Sequence, residues 1–253
     1  MDANIQAGYF TPAILSLLTM KYFFIFHKIC DDEDTFETVS YSEFELFCSK
    51  AYEFNCRSTV SEIVLTFDDG LASDLTARKV AASHGLETIH FIVPSLINSD
   101  GYLSIENIKF LVSSGAKIGS HSYKHVNLNL LSSSDLTDDL NLSKAWFHQM
   151  LGFQPSDISL PYGKATRKVL KQVSRYYKNI YTSGIYNKEV NTTPRYGINK
   201  NNISSDLEFL IKDYNSSARK IRYFLKEIFI GVFGDSFYFS IRKVVSVLEK
   251  NNS

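Results

Sequence analysis

Several things that would place a chain quickly are scarce here. There is no charge imbalance: 27 Lys and Arg are matched by 27 Asp and Glu among 253 residues. No global field therefore favours DNA or RNA, and nucleic acid is set aside as a partner. Cysteine is sparse, with Cys30, Cys48 and Cys56 alone and no Cys-x-x-Cys spacing. An odd count in a chain of this size argues for reduced, buried thiols over a disulfide framework, with one pair plus a free thiol left open. Long apolar runs are missing too. Residues 13–20 are apolar, but Lys21 interrupts them before Tyr22, leaving the run too short to span a bilayer. Asp2, the only early charge, has the wrong sign for a secretion signal, so the chain is expected to be cytoplasmic. Neither an internal repeat nor a low-complexity stretch is visible.

What is present is alternation. Short runs rich in β-branched and aromatic residues at 21–27, 62–67, 88–93, 116–119, 157–160 and 179–182 are expected to be strands. Between them, residues 42–54 place Phe44, Phe47, Cys48, Ala51 and Tyr52 on one helical face. Ser104 reads as the N-cap of a helix that Gly115 stops, the serines at 132–134 open a longer helix ending at Gly152, and 165–173 is helical again. Strand–helix alternation of this kind implies a parallel sheet, either open or closed into a barrel, and 253 residues suit a single α/β domain. His27, Asp68 with Asp69, His121, and Pro161 with Tyr162 each follow the C-terminal end of an expected strand. In parallel α/β folds that edge is where active sites assemble.

Three segments carry chemistry. In Ile63-Val64-Leu65-Thr66-Phe67-Asp68-Asp69-Gly70 an apolar strand runs into two adjacent carboxylates and a glycine. Neighbouring acids repel and resist burial, so such a pair needs a cation or a shared proton, and a metal on one leaves the other free to act as a base. A solvated Asp-Gly turn is the bland alternative. In His121-Ser122-Tyr123-Lys124-His125 the histidines stand at i and i+4, which on a helix would put both imidazoles within reach of one metal. Two histidines and one carboxylate with an open position form a recognised catalytic metal set. Ser159-Leu160-Pro161-Tyr162-Gly163 reads as a tight turn after a strand, able to aim a backbone N–H at a developing oxyanion.

Taken in order, these segments resemble the polysaccharide deacetylase family (carbohydrate esterase family 4, the NodB-homology fold). Thr66–Gly70 and His121–His125 match its first two motifs fully, while only Pro161-Tyr162-Gly163 of the third is present and Ser159 stands at that motif's arginine position. The resemblance also takes in Phe26-His27 and extends to about Arg195. It implies a distorted (β/α) barrel of about seven parallel strands over residues 1–203, with 204–253 as a helical C-terminal extension packed on it. It further implies a divalent metal held by Asp69, His121 and His125, with zinc expected and cobalt, nickel or manganese as alternatives. Asp68 would be the general base, and the Tyr162 backbone N–H would hold the oxyanion during hydrolysis of the acetamide of an N-acetylated sugar.

The departures are informative. Members of the family usually carry a Leu-x-His motif near the C-terminus whose histidine protonates the leaving amine, and this chain has no histidine after His148. His27 is the candidate substitute acid or a substrate contact; a packed strand-end histidine is the other reading. Arg195, in Thr193-Pro194-Arg195-Tyr196, resembles an arginine that follows a late strand in many relatives and could orient Asp68, with a surface arginine as the alternative. His84, His90 and His148 are read as structural. Two rival functions stay open: a metal amidohydrolase for a non-sugar amide, and a non-catalytic carbohydrate-binding relative. From Asn215 onward seven basic residues, among them Arg219, Lys220 and Arg222, face three acids and stand among aromatics such as Tyr223, Phe224 and Phe229. That segment could touch an anionic membrane surface, or be a helical extension packed on the barrel.

Overall fold

The structure is a computed structural model that describes residues 20–33, 35–58, 61–183, 190 and 192–215. Its centre is a sheet of eight parallel strands: β1 (Met20–Phe26), β4 (Ser61–Phe67), β5 (Glu87–Ile92), β6 (Lys117–Ser120), β7 (Asp157–Ser159), β8 (Asn179–Thr182), β9 (Thr192–Pro194) and β10 (Tyr196–Gly197). Their spatial order is β10-β1-β4-β5-β6-β7-β8-β9. A small parallel pair, β2 (Lys28–Ile29) and β3 (Thr38–Val39), stands apart. The six strands expected from sequence are all found within a few residues; the short β9 and β10 carry too little pattern to be read, so the barrel has eight strands where about seven were expected.

Those two short strands are what bend the sheet into a nearly closed barrel. β9 pairs with β8 on one side of the sheet and β10 with β1 on the other, and a single residue, Arg195, separates them in sequence. The Arg195 N–H donates to Thr182 O at 2.8 Å and the Ile198 N–H to Ile25 O at 2.9 Å, so the chain steps from one edge to the other across this residue. Contacts across the interior agree. Phe91 of β5 meets Tyr181 of β8 with ring centroids 5.1 Å apart, although the strands are three places apart in the sheet. Val64, Ile89, Phe91 and Tyr181, with Phe23 against them, fill the barrel, as inward positions of small barrels do.

The outward faces of the central strands are covered by helices whose ends follow local rules. Tyr41–Arg57 starts at a capping box in which the Ser40 side chain accepts from the Glu43 N–H and the Glu43 carboxylate accepts from the Ser40 N–H. It buries Phe44, Phe47, Cys48 and Ala51 against β1 and β4, with Phe26 and Phe24 edge-on to its phenylalanines. Each fully buried phenylalanine contributes about 1.5–3 kcal/mol. Tyr52, expected on that face, is exposed instead. Ser104 and Ser132 cap Ile105–Ser113 and Ser133–Leu151, and Gly152, at φ 77°, ends the latter in the left-handed region. A helix Asp74–Ser83 precedes β5, and Leu207–Asn215 is the last described element.

The three cysteines are free, but only Cys48 is buried; Cys30 is half-buried and Cys56 exposed, because Cys56 falls on the solvent side of its helix. The chain divides into compact units 1–210 and 211–253. The basic, aromatic segment from 216 onward lies outside the described residues. Among the described residues no helix is long and apolar enough to cross a membrane.

Candidate metal centre and active site

Strand register brings the site together. Phe26 pairs with Phe67 and the Asp68 N–H reaches Phe26 O at 3.2 Å, so His27 and Asp68 leave the barrel side by side. Ile92 pairs with Ser120, and the His121 N–H donates to Ile92 O at 2.8 Å. Ser120 pairs in turn with Ile158, one residue before Ser159. Asp68, His121 and Ser159 therefore meet at the C-terminal edge.

Asp68 is buried and fully engaged. Arg195, itself wholly buried, donates from Nη1 to Asp68 Oδ1 and from Nη2 to Asp68 Oδ2, each at 2.8 Å. The Ser159 hydroxyl donates to Oδ2 at 3.1 Å while accepting from Arg195 Nη2 at 2.6 Å, and Nη1 also reaches Thr66 Oγ1 at 3.0 Å. The guanidinium lies 5.0 Å over the Phe91 ring. Burial alone would push the Asp68 carboxyl up; the charge and hydrogen bonds of Arg195 lead the opposing effects and hold the carboxyl well below the usual carboxylate range. Asp68 is thus kept ionised in a dry setting.

Beside it, Asp69, His121 and His125 offer ligand atoms that all lie within 4.8 Å of one another. Asp69 Oδ1 stands 3.4 Å from His121 Nε2 and 3.1 Å from His125 Nε2, yet it is buried with no hydrogen-bond partner in acceptable geometry. A buried carboxylate oxygen facing two imidazole nitrogens without a bond to either is a set of donors that fits a cation. His121 Nδ1 lies 2.9 Å from Ser159 O; donation of Nδ1–H to that carbonyl leaves the Nε2 lone pair aimed at Asp69, the tautomer a metal ligand requires. Burial pushes the His121 imidazole down, towards its neutral form, while contact with Asp69 raises that of His125.

The histidine pair does not sit on a helix, as its spacing suggested. Residues 121–127 are irregular, with Ser122 at φ 62° and His125 at φ 55°. The i, i+4 spacing is met by a tight loop because Ser122 Oγ accepts the His125 N–H at 3.0 Å. Five non-glycine residues among those described have positive φ, and Asp69, Ser122, His125 and Tyr162 are four of them. Backbone strain is concentrated here, as it is at functional sites.

The third segment forms a turn, Pro161–Gly163, in which Tyr162 has φ 61°. Tyr162 is 58% exposed and its ring centroid lies 5.4 Å from that of His125, which puts it beside the Asp69, His121 and His125 group. Gly163, at φ 72°, packs directly against Ser183, where a Cβ would strike the serine side chain. His27 is half-buried at the same edge. His90 is buried and stacked on Phe67 at 4.7 Å, His148 lies within Ser133–Leu151, and His84 ends Asp74–Ser83.

Residues 57–179 match the family model described as polysaccharide deacetylase. That segment belongs to the polysaccharide deacetylase family. The deacetylase segment takes in Asp68, Asp69, His121, His125 and Tyr162, and leaves His27 and Arg195 outside it. Among curated proteins, the chain is 25% identical over 134 residues to the peptidoglycan-N-acetylglucosamine deacetylase of Bacillus cereus, covering 52% of this chain and 47% of that one. It is 29% identical over 119 residues to a peptidoglycan-N-acetylglucosamine deacetylase of Listeria monocytogenes, covering 46% and 24%. The chain thus spans less than half the length of the curated relatives it matches. Two solved structures share the fold at a TM-score of 0.65: a polysaccharide deacetylase from Bacillus cereus (19% identity, 77% of this chain and 69% of that one) and a Streptococcus pyogenes deacetylase in complex with acetate (17% identity, 77% and 98%).

Sequence reading missed two contributors to the candidate site. Ser159, noted only for standing where the third motif carries arginine, bonds both Asp68 and Arg195 through its hydroxyl and His121 through its carbonyl. Asp139, on Ser133–Leu151, accepts the N–H groups of Tyr123 and Lys124. A lone acid on the buried face of an amphipathic helix was the available signal.

Proposed function

We propose that this chain is a metal-dependent N-deacetylase that hydrolyses the acetamide of an N-acetylated sugar in a polysaccharide, oligosaccharide or glycan precursor, releasing acetate and a free amino sugar. The observation that carries the reading is the convergence of the Asp69, His121 and His125 ligand atoms beside an ionised, arginine-clamped Asp68. The names of the curated relatives support the choice of an N-acetylated glycan. Two imidazoles and one carboxylate suit zinc, with cobalt, nickel and manganese as substitutes. A divalent ion bound there would polarise the acetyl carbonyl and make a nearby water more acidic.

The remaining steps fall to the chain's own residues. Arg195 and Ser159 hold the Asp68 carboxylate ionised and fixed in direction, so that it can take the proton of the attacking water. The Tyr162 backbone N–H, on a strained turn at the mouth of the cluster, is assigned to the developing oxyanion. His27, emerging beside Asp68, is assigned to protonate the leaving amine or to contact the sugar. The basic, aromatic segment beyond residue 215 is assigned to peripheral contact with an anionic membrane surface.

The test is acetate release from N-acetylglucosamine oligomers by protein loaded with zinc or cobalt. Asp68→Asn should retain the metal and lose roughly 10²–10⁴-fold in turnover. Metal binding without acetate release from any acetamide would leave the non-catalytic carbohydrate-binding reading, and release from non-sugar amides alone would favour the amidohydrolase reading. Full activity in His27→Ala would remove that residue as the acid.

A further inference from the structure

We propose that Asp139 is a positioning residue for the metal centre, a carboxylate latch that grips two successive backbone amides of the His121–His125 loop and so keeps the two imidazoles convergent. The inference rests on the metal reading above. Between the ligands lie three residues with no helical hydrogen bonding, and both Ser122 and His125 hold left-handed backbone conformations that side chains other than glycine avoid. Such a loop relaxes unless something outside it fixes the peptide planes.

Five bonds hold the loop. The His121 N–H is tied to Ile92 O and the Tyr123 carbonyl accepts from the Ser95 N–H at 3.1 Å, which secures the start of the loop and one carbonyl. Ser122 Oγ closes the turn onto the His125 N–H from within. Among the described residues, Asp139 alone takes up the N–H groups of the middle: Oδ1 accepts the Tyr123 N–H at 3.0 Å and Oδ2 accepts the Lys124 N–H at 3.3 Å. One rigid, planar group thereby sets two adjacent peptides.

The setting argues that this is more than a helix tie. Asp139 is 6% exposed on a face whose other buried members include Leu136, Leu140 and Phe147, where an apolar residue would pack without desolvation cost. Two N–H donors aimed at two oxygens are what compensates the carboxylate. The chemistry is selective: asparagine has the same shape but one acceptor, and its NH2 would face the second N–H. Glutamate keeps both acceptors at the expense of one extra methylene.

The test uses the full chain and titrates zinc or cobalt against a competing chelator. Asp139→Asn should fold, by far-UV circular dichroism, yet bind metal roughly 10–100-fold more weakly, the usual loss when an outer partner of a metal site is removed. Asp139→Glu should recover most of the affinity. Gln172→Ala removes bonds to Ser133 and Thr137 in the first turns of the same helix, away from the loop, and should leave the affinity unchanged. Unchanged affinity in Asp139→Asn, or equal losses in all three variants, would overturn the latch. A measurement on wild-type protein stands independently of how the variants fold: the Tyr123 and Lys124 amides should resist hydrogen exchange before metal is added, and free exchange there would overturn the proposal as well. Wild-type protein that binds neither zinc nor cobalt would sink the metal reading itself, an outcome distinct from a latch that fails in a metal-binding protein.

Discussion

Replacing Arg195 by methionine removes the guanidinium paired with Asp68 while filling similar volume with an unbranched apolar chain. The arginine is wholly buried, donates twice to Asp68 at 2.8 Å and also bonds Thr66 and Ser159. Taking away one partner of a buried pair leaves an uncompensated charge, and such truncations cost about 3–5 kcal/mol. For a unit of this size each kcal/mol moves the melting temperature by about 2–4 °C, so a drop of roughly 6–20 °C is expected at neutral pH. The loss should depend on pH with a definite sign. The Asp68 carboxyl lies below its unfolded value in the native protein, so its contribution is present above about pH 4 and is lost as pH falls through the folded value. The gap between wild type and Arg195→Met should therefore narrow in acid. Chelator-treated protein melted by circular dichroism across pH 3–8 measures this without interference from metal. A double-mutant cycle completes the assay: a neutral amide needs no guanidinium, so Arg195→Met should cost about 3 kcal/mol less in an Asp68→Asn background. A cost under about 1 kcal/mol, or an equal cost in both backgrounds, would refute the clamp as the reason Asp68 is ionised.

Two further outcomes follow from the same packing. His90 and Asp74 are 3.1 Å apart and fully buried, but burial opposes both charges: it lowers His90 to about 3 and, with Asp69 and Asp68 nearby, raises Asp74 well above the usual range. They form a neutral hydrogen-bonded pair, not an ion pair. An acid with a raised folded pKa costs stability above its unfolded value, so Asp74→Asn should stabilise at pH 7, with a gain that fades below about pH 4 in thermal melts. Gly163→Ala must hold a left-handed backbone at φ 72° and displace the Ser183 side chain; it should lower stability by at least about 1–2 kcal/mol in denaturant titration, and a neutral result would mean the turn is free to rearrange.

Much of this protein was legible in the sequence because it is local. Strand runs, serine caps and the stop at Gly152 depend on residues a few positions apart, and the placement of Asp68, Asp69, His121 and Pro161 after strand ends followed from parallel α/β architecture. The candidate metal ligands Asp69, His121 and His125 were legible for the same reason, since each lies within a short contiguous motif. Periodicity did mislead at His121–His125, where i, i+4 spacing is shared by a helix and by a serine-closed loop, and sequence spacing cannot distinguish them.

Tertiary structure decided the rest. Arg195 is 127 residues from Asp68, on a one-residue link between strands too short to show a pattern, and only closure of the barrel brings its guanidinium inside. Ser159 gained its role because β7 stands between β6 and β8, and Asp139 because its helix packs under the histidine loop. The sequence on its own determined which atoms can bind a cation, since ligand chemistry belongs to side chains. Which charges surround those atoms, and what holds them convergent, depended on contacts between distant segments that exist only once the barrel has formed.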